Sequence, residues 1–361
     1  MVIKTKTILN KQIDEFLHKQ GAVKVGFATL ETLAGGPPST DLTYVLPEAK
    51  SAISFALPFD KKKIRDYLAK KDFASHEKDR YELNVKGAKV AKELTLWLQE
   101  RGFIAAYKYP NNQYRREVSG WQFKMPPPIS HRYIAVRSGV ASFGWSGNVG
   151  LKGYGAHILL NTVVTNAELE PTDPIPAEDS FCTKCKLCVK ACTSKLIHDT
   201  EETSVTIGGE TFTYAKRRAY TRCQYVCGGF TGLNTTGSKH WSTWSPGRFE
   251  VPDKDRQILT TWFHAMEKYK QWPQRTDYGI EGYENVALPG YKLHLTCGLC
   301  QNICSGDPKE TAENYKLLIN SGCVIQKPNG DILALPSEEA DKLFNSFPIE
   351  HKKLYTEKKN L

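Results

Sequence analysis

FCTKCKLCVKAC, residues 181–192, decides how this chain is read. Cys182-x2-Cys185-x2-Cys188-x3-Cys192 is the spacing with which bacterial ferredoxins hold iron–sulfur clusters. Three thiolates two residues apart wrap one corner of a cubane, and the fourth turns from the start of a helix towards a second cluster. Zinc sites draw instead on two separated cysteine pairs. A second run, Cys297-x2-Cys300-x3-Cys304, supplies the other half of such a unit. Crossed ligation assigns Cys182, Cys185, Cys188 and Cys304 to the first cluster. It leaves Cys192, Cys297 and Cys300 on the second, one ligand short. Three other cysteines are candidates: Cys223 first, Cys227 second, and Cys323, whose apolar SGCVI surroundings suit a buried structural thiol. Two [4Fe–4S] clusters are expected. Thr193 and Ser305 replace the usual proline after each motif, so their N–H groups are available to sulfur.

Outside the motifs the chain reads as α/β. Leu9, Ile13, Phe16 and Leu17 share a helical face ending at Gly21. AVKVGFATL at 22–30 and SAISFALPF at 51–59 are turn-bounded runs of strand length, and Val90, Leu94 and Trp97-Leu98 repeat at helical spacing up to Gly102. FIAAY at 103–107, RYIAVRS at 132–138 and AHILLNTVV at 156–164 read as strands. A Pro-rich hinge at 168–179 separates an N-terminal domain, 1–178, from the cysteine region, 179–325. Within the latter, about 230–290 is an aromatic-rich insertion with Trp241, Trp244, Phe249, Trp262, Phe263, Trp272, Tyr278 and Tyr283. It suits either a satellite core or the wall of a substrate or cofactor site. A helical tail, 326–361, follows, with Ser337 as a cap and Leu343 and Phe344 facing inward.

The 361 residues are 40% apolar and 24% charged, a core-forming composition that excludes collagen-like and disordered chains. No apolar run is long enough to span a membrane. The first twenty residues are charged throughout, unlike a secretory signal, so a cytoplasmic location is expected. Ten cysteines, clustered and all after residue 181, suit metal chemistry rather than a disulfide scaffold. The net charge of +10, with basic clusters at 61–63, 216–218 and 352–353, suits a solvated surface, an acidic electron donor or RNA.

Beyond the cysteines, several stretches resemble the cobalamin-dependent superfamily of reductive dehalogenases and epoxyqueuosine reductases. They are VGFATL at 25–30, LPEAKSAISFALPF at 46–59, GWSGNVGLKGYGAHILLNTVVTNAELEP at 144–171, and the two cysteine motifs. TNAELEPTDPIP before the first motif is more similar to the dehalogenase branch. RCQYV at 222–226 resembles the place where this superfamily keeps its isolated cysteine, in support of Cys223. The resemblance implies a nitroreductase-like α/β core holding a corrinoid (cobalamin) and a ferredoxin-like domain carrying two [4Fe–4S] clusters. Gly144, Trp145, Ser146, Gly147, Asn148, Tyr154 and Gly155 would lie near the corrin. A ferredoxin or flavodoxin would supply electrons, and a small organic molecule would be the substrate. The epoxyqueuosine alternative makes it a tRNA, and a non-catalytic electron-transfer or corrinoid-handling protein is the third reading.

Neither branch's catalytic acid carries over. Where dehalogenases resemble YGPRVR, this chain reads Tyr154-Gly155-Ala156-His157-Ile158-Leu159. Where epoxyqueuosine reductases carry an acid before a PxLER-like pattern, KMPPPISHR at 124–132 has no carboxylate. Tyr154 and His157 are therefore the candidate proton donors.

Overall fold

Helical spacing of Ile13 and Leu17 and the apolar runs after them build the first layer pair. The computed structural model describes residues 2–109, 113–234, 240–273, 283–285 and 288–356. Helix α1 (Val2–Lys19) leads into β1 (Lys24–Thr29), and β2 (Ser51–Pro58) follows. Helix α2 (Lys61–Leu68) starts on Asp60, whose carboxylate accepts from the Lys62 and Lys63 N–H groups. After α3 (Ala74–Gln99) come β3 (Ala105–Tyr107), α4 (His131–Arg137) and β4 (Ile158–Thr165). The strands form one antiparallel sheet in the order β1-β2-β4-β3. Helices α1 and α3 cover one face, where Ile13, Leu17, Phe55, Val90, Leu94 and Val163 share a core. Ile134 of α4 packs with Ala28, Ala52 and Val164 on the other. Both faces of β2 are thus buried, which is why its sequence is apolar without alternation. The α/β class is as expected.

The stretch expected as a strand at 132–138 is instead helix α4. The Ser130 side chain accepts from the Tyr133 N–H and caps it, two residues after the run Pro126-Pro127-Pro128. Ile134, Ala135, Val136 and Arg137 are all buried, so no exposed face marks the helical period.

The cysteine region adds α5 (Leu187–Lys190), the hairpin of β5 (Ile197–Ile207) and β6 (Glu210–Arg217), α6 (Thr221–Cys227) and α7 (Asp255–Tyr269). Gly208 and Gly209 turn the hairpin, both at positive φ, as two-residue hairpin turns of this hand require. Beyond them lie α8 (Leu299–Asn302), α9 (Pro308–Ile319), the paired strands β7 (Cys323–Gln326) and β8 (Ile332–Leu335), and α10 (Ser337–Ser346). A boundary after residue 325 falls inside β7. Ser337 is not the cap of α10. Pro336 occupies that position, and the Ser337 hydroxyl lies 3.4 Å from His240 Nδ1. Leu343 and Phe344 do pack inward against the last hairpin.

The basic clusters are largely ion-paired: Lys61 with Glu310, Lys62 with Asp66, Lys63 with Asp79, Lys216 with Glu201, Arg218 with Asp255, and Lys353 with Glu350. Among the described residues no helix is long and apolar enough to cross a membrane.

Candidate metal centre

The first motif bends because Lys184 and Lys186 adopt left-handed backbone conformations, φ +55° and +58°. For a side-chain-bearing residue this costs roughly 1–2 kcal/mol. The turns bring Cys182 and Cys185 near Cys188, which lies in α5, and the chain then runs on to Cys192. In the second motif the left-handed turn falls on Gly298, which opens α8 between Cys297 and Cys304.

The ten thiols form no disulfide. Nine of them gather into two sets. Cys188 interacts with Cys304, Cys182 and Cys185; burial first, then these neighbours, push its thiol up to about 12. Burial and the same set raise Cys304 to about 11. In the second set Cys192 interacts with Cys223 and Cys297, and Cys300 with Cys192, Cys223 and Cys297; burial is the main cause that raises both. Cys227 touches Cys223, Sγ to Sγ 3.6 Å, and Cys297. Thiols that oppose one another's ionisation in this way become thiolates together only around a strong positive charge, which inverts the local preference.

Among the described residues no three His, Cys, Asp or Glu side chains close on a single point as a one-ion site requires. A polynuclear cluster takes its thiolates from separate corners, and two sets drawn crosswise from both motifs suit that donor chemistry. Cys323 joins neither set. It is buried with Ile325, Phe344 and Tyr355 in the C-terminal core.

Donors surround the sulfurs. The Trp145 N–H donates to Cys182 Sγ at 3.2 Å and the Leu196 N–H to Cys192 Sγ at 3.3 Å, with the Ser194 hydroxyl at 3.3 Å from the same sulfur. The Asn148 amide donates from Nδ2 to Cys300 Sγ at 3.4 Å. Its orientation is settled by Arg217, which can only donate and does so to Asn148 Oδ1 at 3.1 Å and to Ser146 O at 2.7 Å. The N–H groups expected to serve sulfur do not. Thr193 N donates to Ala191 O and Ser305 N to Thr311 Oγ1, because each chain turns back on itself there.

The glycine-rich run therefore wraps the cysteine motifs. Gly144, Trp145 and Ser146 line a small cavity with Cys182, Cys185, Cys188 and Cys304. The Trp145 indole donates to His198 O at 3.1 Å, and the Lys186 ammonium lies 4.6 Å from its ring. A Cβ on Gly147 would meet Arg217 and Tyr214 within 3.0 Å. Gly155, at φ +58°, admits the second motif: a Cβ there would stand 2.2 Å from Cys304 O. On the side that faces the cysteine motifs this run, expected beside a corrin, is packed against protein.

Tyr154 is half-buried beside Val149, Leu151 and Ile158. His157 is 1% exposed and its Nε2 lies 2.7 Å from Asn302 O. Burial lowers its pKa to about 4, which favours the neutral imidazole and weighs against His157 as the proton donor.

The aromatic insertion is a set of satellite cores. Trp241 and Trp244 pack with Ile64, Tyr67 and Phe73, and Phe249 and Trp262 with Tyr225 and Phe230. Trp272 stacks between Tyr269 and Tyr355, and Phe263 is exposed. Tyr278 and the Tyr283 side chain lie outside the described residues.

Comparison with known proteins points the same way as the motifs. The chain is 27% identical to an epoxyqueuosine reductase from Atelocyanobacterium thalassa (isolate ALOHA) over 186 residues, 49% of this chain and 52% of that protein. It spans about half the length of that curated relative. No family model matches it. Among solved structures, a catabolic reductive dehalogenase aligns with TM-score 0.45 at 14% identity, covering 60% of this chain and 28% of that one. An epoxyqueuosine reductase from Bacillus subtilis aligns with TM-score 0.39 at 15% identity, covering 87% and 82%.

Against this reductase background, three features escaped sequence reasoning: the β5–β6 hairpin, Asn148 as a donor to sulfur, and Arg217 behind it. The hairpin carried a signal, Gly208-Gly209 between alternating residues in SVTIGGETFTY. Asn148 and Arg217 carried none, since their partners lie far away in the chain.

Proposed function

We propose that the chain is an iron–sulfur oxidoreductase that carries two [4Fe–4S] clusters and works with a corrinoid. The observation that carries this is the crossed division of the thiols. Cys182, Cys185, Cys188 and Cys304 would hold one cluster, and Cys192, Cys223, Cys297 and Cys300 the other. When bound, these groups supply one-electron transfer and a strongly reducing metal. The chain's own part is to hold and tune them. Trp145 N–H, Leu196 N–H and Asn148 donate to thiolate sulfurs, which stabilises the more negative reduced state. The buried side chains of Phe181, Trp145 and Ile303 line the cavity between the motifs and keep bulk water from it.

The reading assigns 1–178 to the corrinoid-binding, nitroreductase-like part and 179–325 to the ferredoxin-like part, with 326–361 closing the latter. The net positive charge suits an acidic ferredoxin or flavodoxin as donor. Dehalogenase-like cleavage of a small organic substrate and reduction of an epoxyqueuosine-type tRNA base stand level. The first is supported by the resemblance of TNAELEPTDPIP at 165–176, the second by the 27% identical relative. Tyr154 is the proposed proton donor for either, with its phenol O–H as the group that would give the proton. Tyr154→Phe should leave the clusters intact and slow single-turnover product formation by about 10²–10⁴-fold.

Anaerobic reconstitution followed by iron, sulfide and cobalt analysis tests the whole reading. About eight irons per chain and retained cobalamin with a base-off spectrum are expected. About four irons with zinc in the other site, or selection of flavin over cobalamin, overturns it.

A further inference from the structure

The second thiol set contains five sulfurs, and a four-iron cluster takes four. Cys223 and Cys227 sit one turn apart on α6, on the same face, with their Sγ atoms 3.6 Å apart. Cys223 faces Cys192 and Cys300, while Cys227 lies against Cys223 on one side and Cys297 on the other. The fifth sulfur is therefore inside the site, in contact with two of its proposed ligands.

Helix α6 is fixed in place at both ends. Arg222, 1% exposed, donates to Asp255 Oδ1 at 2.7 Å, to Asp253 O at 2.9 Å and to Ser194 O at 3.4 Å, two residues from Cys192. At the other end the Thr296 N–H donates to Cys227 O at 3.0 Å and the Thr296 hydroxyl to Val226 O at 3.2 Å, next to Cys297. Both thiols are thus presented to the same place by one rigid turn tied to both motifs.

We propose that Cys227 is a reserve ligand of the second cluster, interchangeable with Cys223 at one iron. The inference rests on the two-cluster reading. In the exchange the iron–Cys223 sulfur bond breaks and an iron–Cys227 sulfur bond forms. The proton of the Cys227 thiol passes to the departing Cys223 sulfur, so no electron is gained or lost. Where Cys223 is absent, that proton goes to solvent as the iron is bound.

The test is anaerobic reconstitution of the full chain with ferrous iron and sulfide, as wild type, Cys223→Ala, Cys227→Ala and the double variant. Iron per chain, the electron paramagnetic resonance of the reduced clusters, and iodoacetamide labelling of the native protein are read out. Wild type and both single variants should hold about eight irons, and the double variant about four with the first cluster's signal intact. Cys227 should be alkylated in wild type and protected in Cys223→Ala. A fall to about four irons in either single variant overturns the proposal, as does a double variant that keeps about eight. Wild type holding only about four overturns the two-cluster reading itself, and the reserve ligand with it. If the alanine pair also abolishes the first cluster's signal, Cys223→Ser with Cys227→Ser repeats the test at nearly constant volume.

Discussion

Asn148→Leu isolates a single hydrogen bond to one cluster. The Nδ2 donor reaches Cys300 Sγ at 3.4 Å, and Arg217 on Oδ1 prevents the amide from turning the other way. A hydrogen bond to a charged group is worth about 1.5–3 kcal/mol in total. It acts on a redox potential only through the difference between the two oxidation states, for which about 1 kcal/mol is a fair share of a bond this long. For one electron that is roughly 40 mV, taking 59 mV for each tenfold change in equilibrium. The second cluster's midpoint should therefore fall by about that much in Asn148→Leu. Asn148→Asp should lower it further. The carboxylate keeps the contact with Arg217 but cannot donate, and it sets a negative charge beside the sulfur. The first cluster, served by the Trp145 N–H, should not move. Potentiometric titration of the reconstituted chain, followed by electron paramagnetic resonance, resolves the two midpoints. An unchanged second midpoint, or an equal fall in both, refutes the assignment of Asn148 to one cluster.

Gly155→Ala should lower the thermal midpoint and release iron, because its Cβ would stand 2.2 Å from Cys304 O at a left-handed φ. The backbone term alone is about 1–2 kcal/mol, and a variant with wild-type stability and full iron content would contradict the packing described. Arg222→Met should cost about 3 kcal/mol, the low end for a broken buried pair because Asp255 is partly exposed, and should deplete the second cluster before the first. Iron analysis beside denaturant titration checks it; equal loss of both clusters would speak against the role given to α6. Burial holds His76 at about 3 and His131 and His157 at about 4, below the ordinary 6.5. The unfolded chain therefore binds more protons as pH falls through 6.5, so stability is full above that value and declines towards about 4. His131→Gln should flatten part of this slope in denaturant midpoints measured against pH, and an unaltered slope would show that His131 is not held neutral.

What could be read from the residues alone follows the range of the interactions involved. That the two cysteine motifs come together was legible, because spacings of two and three residues keep the thiols of a short loop close to one another. Strands β1, β2 and β4 were legible because each is an apolar run between turns, whichever faces it buries. Helix α4 was not, since burial of Ile134 through Arg137 erased the period and left only Ser130 after three prolines to mark its start. The run 144–155 was legible only as a loop, for a different reason. Its glycines looked like a loop's freedom, but their need comes from atoms far along the chain: Cys182 on the Trp145 N–H, Cys300 on Asn148, Cys304 against Gly155. The ambiguity between Cys223 and Cys227 belongs to neither class. On a helix, residues four apart face the same way, so spacing alone presents both thiols to one site. The structure keeps both there, half-buried and in contact. A choice that sequence left open between two residues thus becomes a question about one iron with two neighbours, and the alanine pair answers it by whether the second loss matters only after the first.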